Sequence, residues 1–412
     1  MNTRIAPSQL WTRSAYNPLP AGTVAGRGWN RLDTHLSMYR KIKFTGDVPY
    51  EKKYVTILED RPPVGSVFNV EFSPHGNYVV AAMADGRALV MDPLTRRLCK
   101  DIPAHEFCTN CVCFITNESF ATCSDDRAVK IWDMRWPRVP VLERLNWHRE
   151  WVKSIYYDSR SHCLVSSGFD QMVRLLPLRD GAEERSQSEG HGLCIDYNGG
   201  NQFLMRIALS PDATILCVGL YDNRLSQYQY YLDDEEPCTL QVFQDVQLKE
   251  RGLDTTQCAA QDIVDWPSDV TFITSVKIFS DNQHILSRCS NLFNEECLCI
   301  HDLKSGKMLC TIEDSAPPRG IVKEPGISSD DRVVCSPFGS RIRLLGLGHN
   351  LPLIAERIDF HGDVPNSFSE FLDITTPYHP IRNVLSCRFS PTQMLVAAGD
   401  EDGNIFIAQP KL

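Results

Sequence analysis

Nowhere in the 412 residues do eighteen apolar residues run consecutively, which argues against a membrane-spanning helix. The opening stretch MNTRIAPSQLWTRSAYNPLP lacks the apolar core of a secretory signal. Gly-x-Ser-x-Gly, the P-loop pattern and His-Glu-x-x-His are all absent, which removes the commonest local signatures of hydrolysis and nucleotide binding. Positive charge is short: 42 Lys/Arg stand against 52 Asp/Glu, and residues 1–53 hold nine of the former and only three of the latter. The rest of the chain is thus strongly acidic, a poor surface for phosphate backbones, and no direct nucleic-acid partner is expected.

What is present is a globular composition, 42% hydrophobic and 23% charged, enough to bury a core. The sixteen cysteines are scattered and sit mostly inside apolar runs, where a reduced thiol behaves as a small hydrophobe. An intracellular protein, nuclear or cytoplasmic, is expected.

Internal repetition organises the chain. Val67–Pro93, Met205–Tyr228 and Asn383–Ala408 each read as an alternating strand, a Ser-Pro turn, a small-residue strand, an Asp-containing tight turn and a third strand. Period-two alternation broken by such turns marks antiparallel hairpins. The best-formed copy is AHEFCTNCVCFITNESFATCSDDRAVKIWDMR, residues 104–135. Its Ala-His opening, Asp126 six residues before Trp132 and closing Trp132-Asp133 resemble the WD-repeat family. The resemblance implies a buried hydrogen-bond chain of His105, Ser124 (or Thr122), Asp126 and Trp132. It makes His105 a structural residue first.

With Trp-Asp as a ruler, the equivalent positions are Met91, Trp132, Leu176, Tyr228, His301, Leu345 and Ala408. Seven positions predict an all-β, seven-bladed WD-repeat β-propeller over residues 53–412, since a blade takes about 40–45 residues and longer gaps mark insertions. The last repeat lacks an outer strand, and KYVTILE (Lys53–Glu59) is unattached, so this segment is expected to close the ring. Residues 1–52 read as a leader with one amphipathic helix at Asn30–Phe44, capped by Asn30 and basic at its C-terminal end. Its role, packing on its own propeller or docking on a partner, is open. Arg179–Gln202, Leu232–Asp269 and Asp359–Tyr378 read as surface insertions.

Catalytic and metal patterns are sparse. Cys108, Cys111 and Cys113 have the most metal-like spacing, but a structural zinc wants four ligands and only Cys297 and Cys299 could join them. Cys111 and Cys113 also alternate as a strand's inward face should, and no metal or cofactor is expected.

Phe120–Arg135, FATCSDDRAVKIWDMR, fits a longer signature than a WD repeat requires. It resembles the sixteen-residue box of substrate receptors of cullin-4 RING ubiquitin ligases. That resemblance implies that Arg135 contacts the damaged-DNA-binding adaptor protein that bridges receptor to cullin-4, with Asp133 supporting the turn. LVSSGFDQMVRLLPLR (Leu164–Arg179) is a second copy that keeps Asp170 and Arg179 but carries Leu176-Pro177 for Trp-Asp. By the same resemblance Arg179 is a second contact, the chain is not an enzyme, and its other partner is a substrate protein of unknown identity. The alternative is a general WD-repeat scaffold in another assembly, with Arg135 an ordinary surface residue.

Overall fold

In the computed structural model, the described residues are 44–45, 65–159, 162–178 and, beyond these, the strands of the remaining sheets with some flanking residues through 410. Among the described residues, seven four-stranded antiparallel units follow one another in chain order, the fourth and fifth joined into one eight-stranded sheet, with a separate pair of short strands, Gln247–Lys249 and Gly252–Asp254. The first is Val67–Phe72, Val79–Met83, Arg87–Asp92 and Arg97–Pro103. The second is Thr109–Phe114, Ser119–Ser124, Val129–Asp133 and Leu142–Arg144. The third is Val152–Asp158, Cys163–Gly168, Met172–Pro177 and Gly192–Cys194. Gln202–Leu209, Leu216–Asp222, Leu240–Phe243 and Ala260–Ile263 make the fourth, which touches the fifth through the single pair Tyr221 and Phe272. Val270–Ile278 to Met308–Asp314 make the fifth, and Gly326–Ile327 to Phe368–Thr375 the sixth. Val384–Phe389, Val396–Asp400 and Ile405–Pro410 begin the seventh.

Phe44–Thr45 supplies the fourth strand of the seventh sheet, pairing with Pro410 and Gln409. The N-terminal side of the chain thus completes the last sheet, but through a segment earlier than Lys53–Glu59, which lies outside the described residues. Phe44, expected to end the helix, is in this strand, and residues 30–43 lie outside the described residues too. Each pairing here hides a row of backbone donors and acceptors that an open edge would expose.

Why second strands read VVAAM and VAAGD rather than alternating is a matter of packing. Every residue of Val79–Met83 and Val396–Asp400 is buried, because each sheet is covered on both faces by its neighbours. One apolar cluster joins the seventh sheet to the first through Val67, Met83, Leu89, Ala397 and Ile405. Others join first to second through Val80, Ile102, Phe120 and Trp132, and second to third through Cys123, Ile131, Val152 and Leu164. Small side chains let the sheets approach: a Cβ on Gly399 would collide with the side chain of Val67. The Ser-Pro turns also have a local cause. Ser73 Oγ accepts the Tyr78 amide at 3.1 Å, and Gly76 takes φ +70° to close the turn.

Three sequence assignments change. Leu240–Phe243, a brief strand-like stretch of a segment read as a surface insertion, is the third strand of the fourth sheet, so that repeat's ruler position falls there, and Tyr228 lies outside the described residues. Gly192–Cys194 and Phe368–Thr375, also read as insertions, are the outer strands of the third and sixth sheets. Outer strands pair along one edge only and need no strong alternation, so their pattern is faint.

Candidate functional site

The second sheet holds the polar chain that its motif implies, with one change of partner. Trp132 Nε1–H donates to Thr122 Oγ1 at 2.9 Å, Thr122 Oγ1 lies 2.8 Å from His105 Nε2, and His105 Nδ1 lies 2.7 Å from Asp126. The hydroxyl is therefore that of Thr122. Ser124 instead accepts the backbone amide of Asp126 at 3.1 Å. Alternation puts Thr122 and Ser124 on the same face as Phe120, and position along the strand decides between them: Phe120 pairs with Trp132, and Thr122, two residues on, is nearer the indole than Ser124. Burial, the largest influence, lowers the His105 pKa against the opposing pull of Asp126, so the ring is neutral. A neutral ring fixes the order of donors: indole to hydroxyl, hydroxyl to Nε2, Nδ1–H to carboxylate.

The third sheet, whose Trp-Asp is replaced by Leu176-Pro177, builds the same chain from another tryptophan. Trp147 Nε1–H donates to Ser166 Oγ at 3.0 Å, Ser166 Oγ lies 2.9 Å from His148 Nε2, and His148 Nδ1 lies 2.8 Å from Asp170. Leu176 sits opposite Leu164 as Trp132 sits opposite Phe120. Trp147 thus comes from the loop before the sheet rather than from its third strand. Arg174 stacks over its ring, 5.8 Å from the centroid.

Arg135 stands just past the third strand of the second sheet, its side chain 66% exposed. Asp133 holds it from both sides: Oδ1 accepts the Arg135 backbone amide at 2.8 Å and Nε at 3.0 Å, and Oδ2 accepts Nη2 at 2.6 Å. The hydrogen bonds from Arg135 lower the Asp133 pKa. Glu118, in the turn between the first two strands, adds a contact at 3.3 Å. An exposed guanidinium is costly to order in isolation. Here it is ordered beforehand, with donors left over for a partner. Arg179 lies outside the described residues. Its neighbour Leu178 bonds back to His162 as Met134 bonds back to Glu118, and Pro177 stands where Asp133 does, so this sheet has no carboxylate at the clamping position.

Sequence reasoning missed a charged cluster in the central channel. Glu324 accepts Asn69 Nδ2 at 2.6 Å and Arg388 Nη2 at 2.9 Å, and pairs with Arg206 Nε at 3.2 Å. Arg388 also binds Glu71 at 3.0 Å, and Lys277 lines the same cavity of about 460 Å³. These residues are spread over more than three hundred positions, and ring closure alone brings them together. Their charges are largely spent on one another, so the cluster ties the first, fourth and seventh sheets across the channel.

The cysteines fall differently from their spacing. Cys111 and Cys113 share the inner strand of the second sheet, away from Cys297 and Cys299, whose thiols converge with Cys289 so that the three sulfurs lie within 4.8 Å of one another. Three buried thiols are one donor short of a structural zinc set. All cysteines among the described residues are free. Among those residues, no helix is long and apolar enough to cross a membrane.

The family model described as "WD domain, G-beta repeat" matches residues 96–133 and 374–407. DDB1- and CUL4-associated factor 10 of Danio rerio is 27% identical over 393 residues, covering 84% of this chain and 74% of that protein. The Homo sapiens protein of the same name is 27% identical over 408 residues, covering 84% of this chain and 70% of its own length. A guanine nucleotide-binding protein subunit beta of Oryza sativa is 26% identical over 217 residues, 48% of this chain and 56% of that protein. Seven four-stranded sheets in ring order, the two His-centred chains and these likenesses agree: this chain is a WD-repeat β-propeller that resembles DDB1- and CUL4-associated factor 10 over most of its length.

Proposed function

We propose that this chain is a non-enzymatic substrate receptor of a cullin-4 RING ubiquitin ligase, docking on the DDB1 adaptor and holding a second protein for ubiquitination. The observation that carries the reading is Arg135, exposed at the end of the Trp-Asp strand and held by Asp133 with donors to spare. The names of the relatives, which join DDB1 and CUL4, supply the partner. Mechanistically, a receptor accelerates transfer by raising the effective concentration of its client at the ligase, and needs no reacting group of its own. Arg179 is the second adaptor contact in this reading. Such a role is intracellular, in nucleus or cytoplasm.

The test is capture of the chain from cells with mass spectrometry, wild type beside Arg135→Ala. Co-purification of DDB1 and CUL4 with the wild type, reduced about thirtyfold in affinity for the variant, is the expected result. Absence of both proteins from the wild-type capture turns the reading to the general scaffold, a use of the fold consistent with the likeness to the guanine nucleotide-binding β subunit.

A further inference from the structure

The segment after Arg135, Trp136-Pro137-Arg138-Val139-Pro140-Val141, presents apolar groups to solvent. Trp136 is 78% exposed, Val139 69% and Val141 68%. Yet the backbone of this segment is tied down. The Trp136 amide bonds to the Asp133 carbonyl at 3.0 Å and the Val141 amide to the Ile131 carbonyl at 2.8 Å. Met134 is buried and packs in the same cluster as Trp132. Pro137 and Pro140 remove further backbone freedom. A tryptophan held outward at a fixed place loses little entropy on binding and brings about 150–250 Å² of surface to bury.

Charge points the same way. From Met134 to Leu142 there is no carboxylate, and Arg135 and Arg138 are both exposed, Arg135 being oriented by Asp133 and Glu118 from outside the segment. The segment itself is thus basic and aromatic, complementary to an apolar pocket with an acidic rim. Its position is fixed by topology. In an antiparallel four-stranded sheet the connections between strands one and two and between strands three and four lie at one end, as the Arg135–Glu118 contact confirms. Residues 145–151, which join this sheet to the next, lie at the opposite end, and they hold a second exposed tryptophan, Trp151, at 48%.

We propose that Trp136, with Val139 and Val141 beside it, is the apolar anchor of the adaptor interface, filling a pocket on DDB1 next to the acidic or carbonyl-lined groups that take Arg135. This rests on the receptor reading above and assigns the contact that supplies most of the affinity to a residue outside the Trp-Asp-x-Arg signature. Trp, like Arg, is among the residues that dominate interfaces when buried at their centre.

The experiment is a titration of purified DDB1 against the full chain and four variants, with a melting curve for each. Trp136→Ala should weaken binding by about thirtyfold or more with the melting temperature unchanged, since the ring is exposed. Trp136→Phe should restore most of the affinity, and Trp151→Ala at the other end of the ring should bind as the wild type does. If the wild type binds and Arg135→Ala binds weakly while Trp136→Ala binds normally, the anchor is overturned and the receptor reading stands. If the wild type itself does not bind DDB1, both are overturned.

Discussion

The Trp147 indole reaches Ser166 Oγ at 3.0 Å and makes in the third sheet the bond that Trp132 makes to Thr122 in the second at 2.9 Å. The two tryptophans come from different places in their repeats, one from the third strand and one from the loop preceding the sheet. What is retained is the donor: a buried strand hydroxyl that gives its proton to a histidine needs a further N–H to fill its lone pair.

Trp147 should therefore behave as a structural residue. Trp147→Phe removes the N–H and should cost about 1 kcal/mol, and Trp147→Ala, which also loses ring packing and the Arg174 stack, about 3 kcal/mol. Urea unfolding of the two variants checks this. Equal stability of Trp147→Ala and wild type would remove the substitute tetrad.

Thr122 and Ser124 should separate in the same assay. Thr122→Ala leaves the buried Trp132 N–H without its acceptor and should cost roughly 1–3 kcal/mol. Ser124→Ala loses one bond to the Asp126 amide and should cost less, about 0.5–1 kcal/mol. The reverse order would mean that Ser124 is the tetrad hydroxyl after all.

Acid should loosen the fold in two steps. Burial pushes the His105 and His148 pKa values below the ordinary 6.5. The unfolded chain then binds protons that the folded chain refuses, so their contribution is complete above pH 6.5 and falls as pH drops through that value. Urea midpoints should decline between pH 7.5 and 5.5, and His105→Gln with His148→Gln should flatten the slope. A slope unchanged in the double variant would exclude these histidines as its cause.

Glu324 governs the second step. Burial would raise its carboxyl, but the charges of Arg206, Lys277 and Arg388 and the Asn69 amide outweigh it and bring the pKa from 4.5 to about 2. Its contribution is thus complete above pH 4.5 and is lost as pH falls toward 2. Glu324→Gln takes the carboxylate from Arg206 and leaves Arg388 with Glu71 alone, and should cost about 3 kcal/mol at pH 7, with less further loss below pH 4.5. A variant as stable as wild type at pH 7 would show that the channel charges do not tie the sheets together.

Much of the second and third sheets was legible from residues 104–178 alone. Asp126, Trp132 and the Asp-containing turns at Asp126 and Asp170 act within a few positions, so period-two alternation and turn chemistry suffice to place them. The same locality put Asp133 and Arg135 together, two residues apart across one tight turn. Legibility failed where function of the residue is set by distant chain. Outer strands such as Gly192–Cys194 and Ala260–Ile263 pair on one side only, and Phe44–Thr45 finds its partner more than 360 positions away at Gln409 and Pro410.

The sequence by itself determined the repeat, the turn that presents Arg135 and the His105, Asp126 and Trp132 members of the second-sheet tetrad, because each depends on neighbours within one repeat. Only the tertiary structure decided the choice of Thr122, the recruitment of Trp147 and the gathering of Asn69, Arg206, Glu324 and Arg388 in the channel. The first two depend on which side chains meet in space inside one folded repeat, and the last on closure of the sheets into a ring, which brings together residues whose spacing along the chain carries no period.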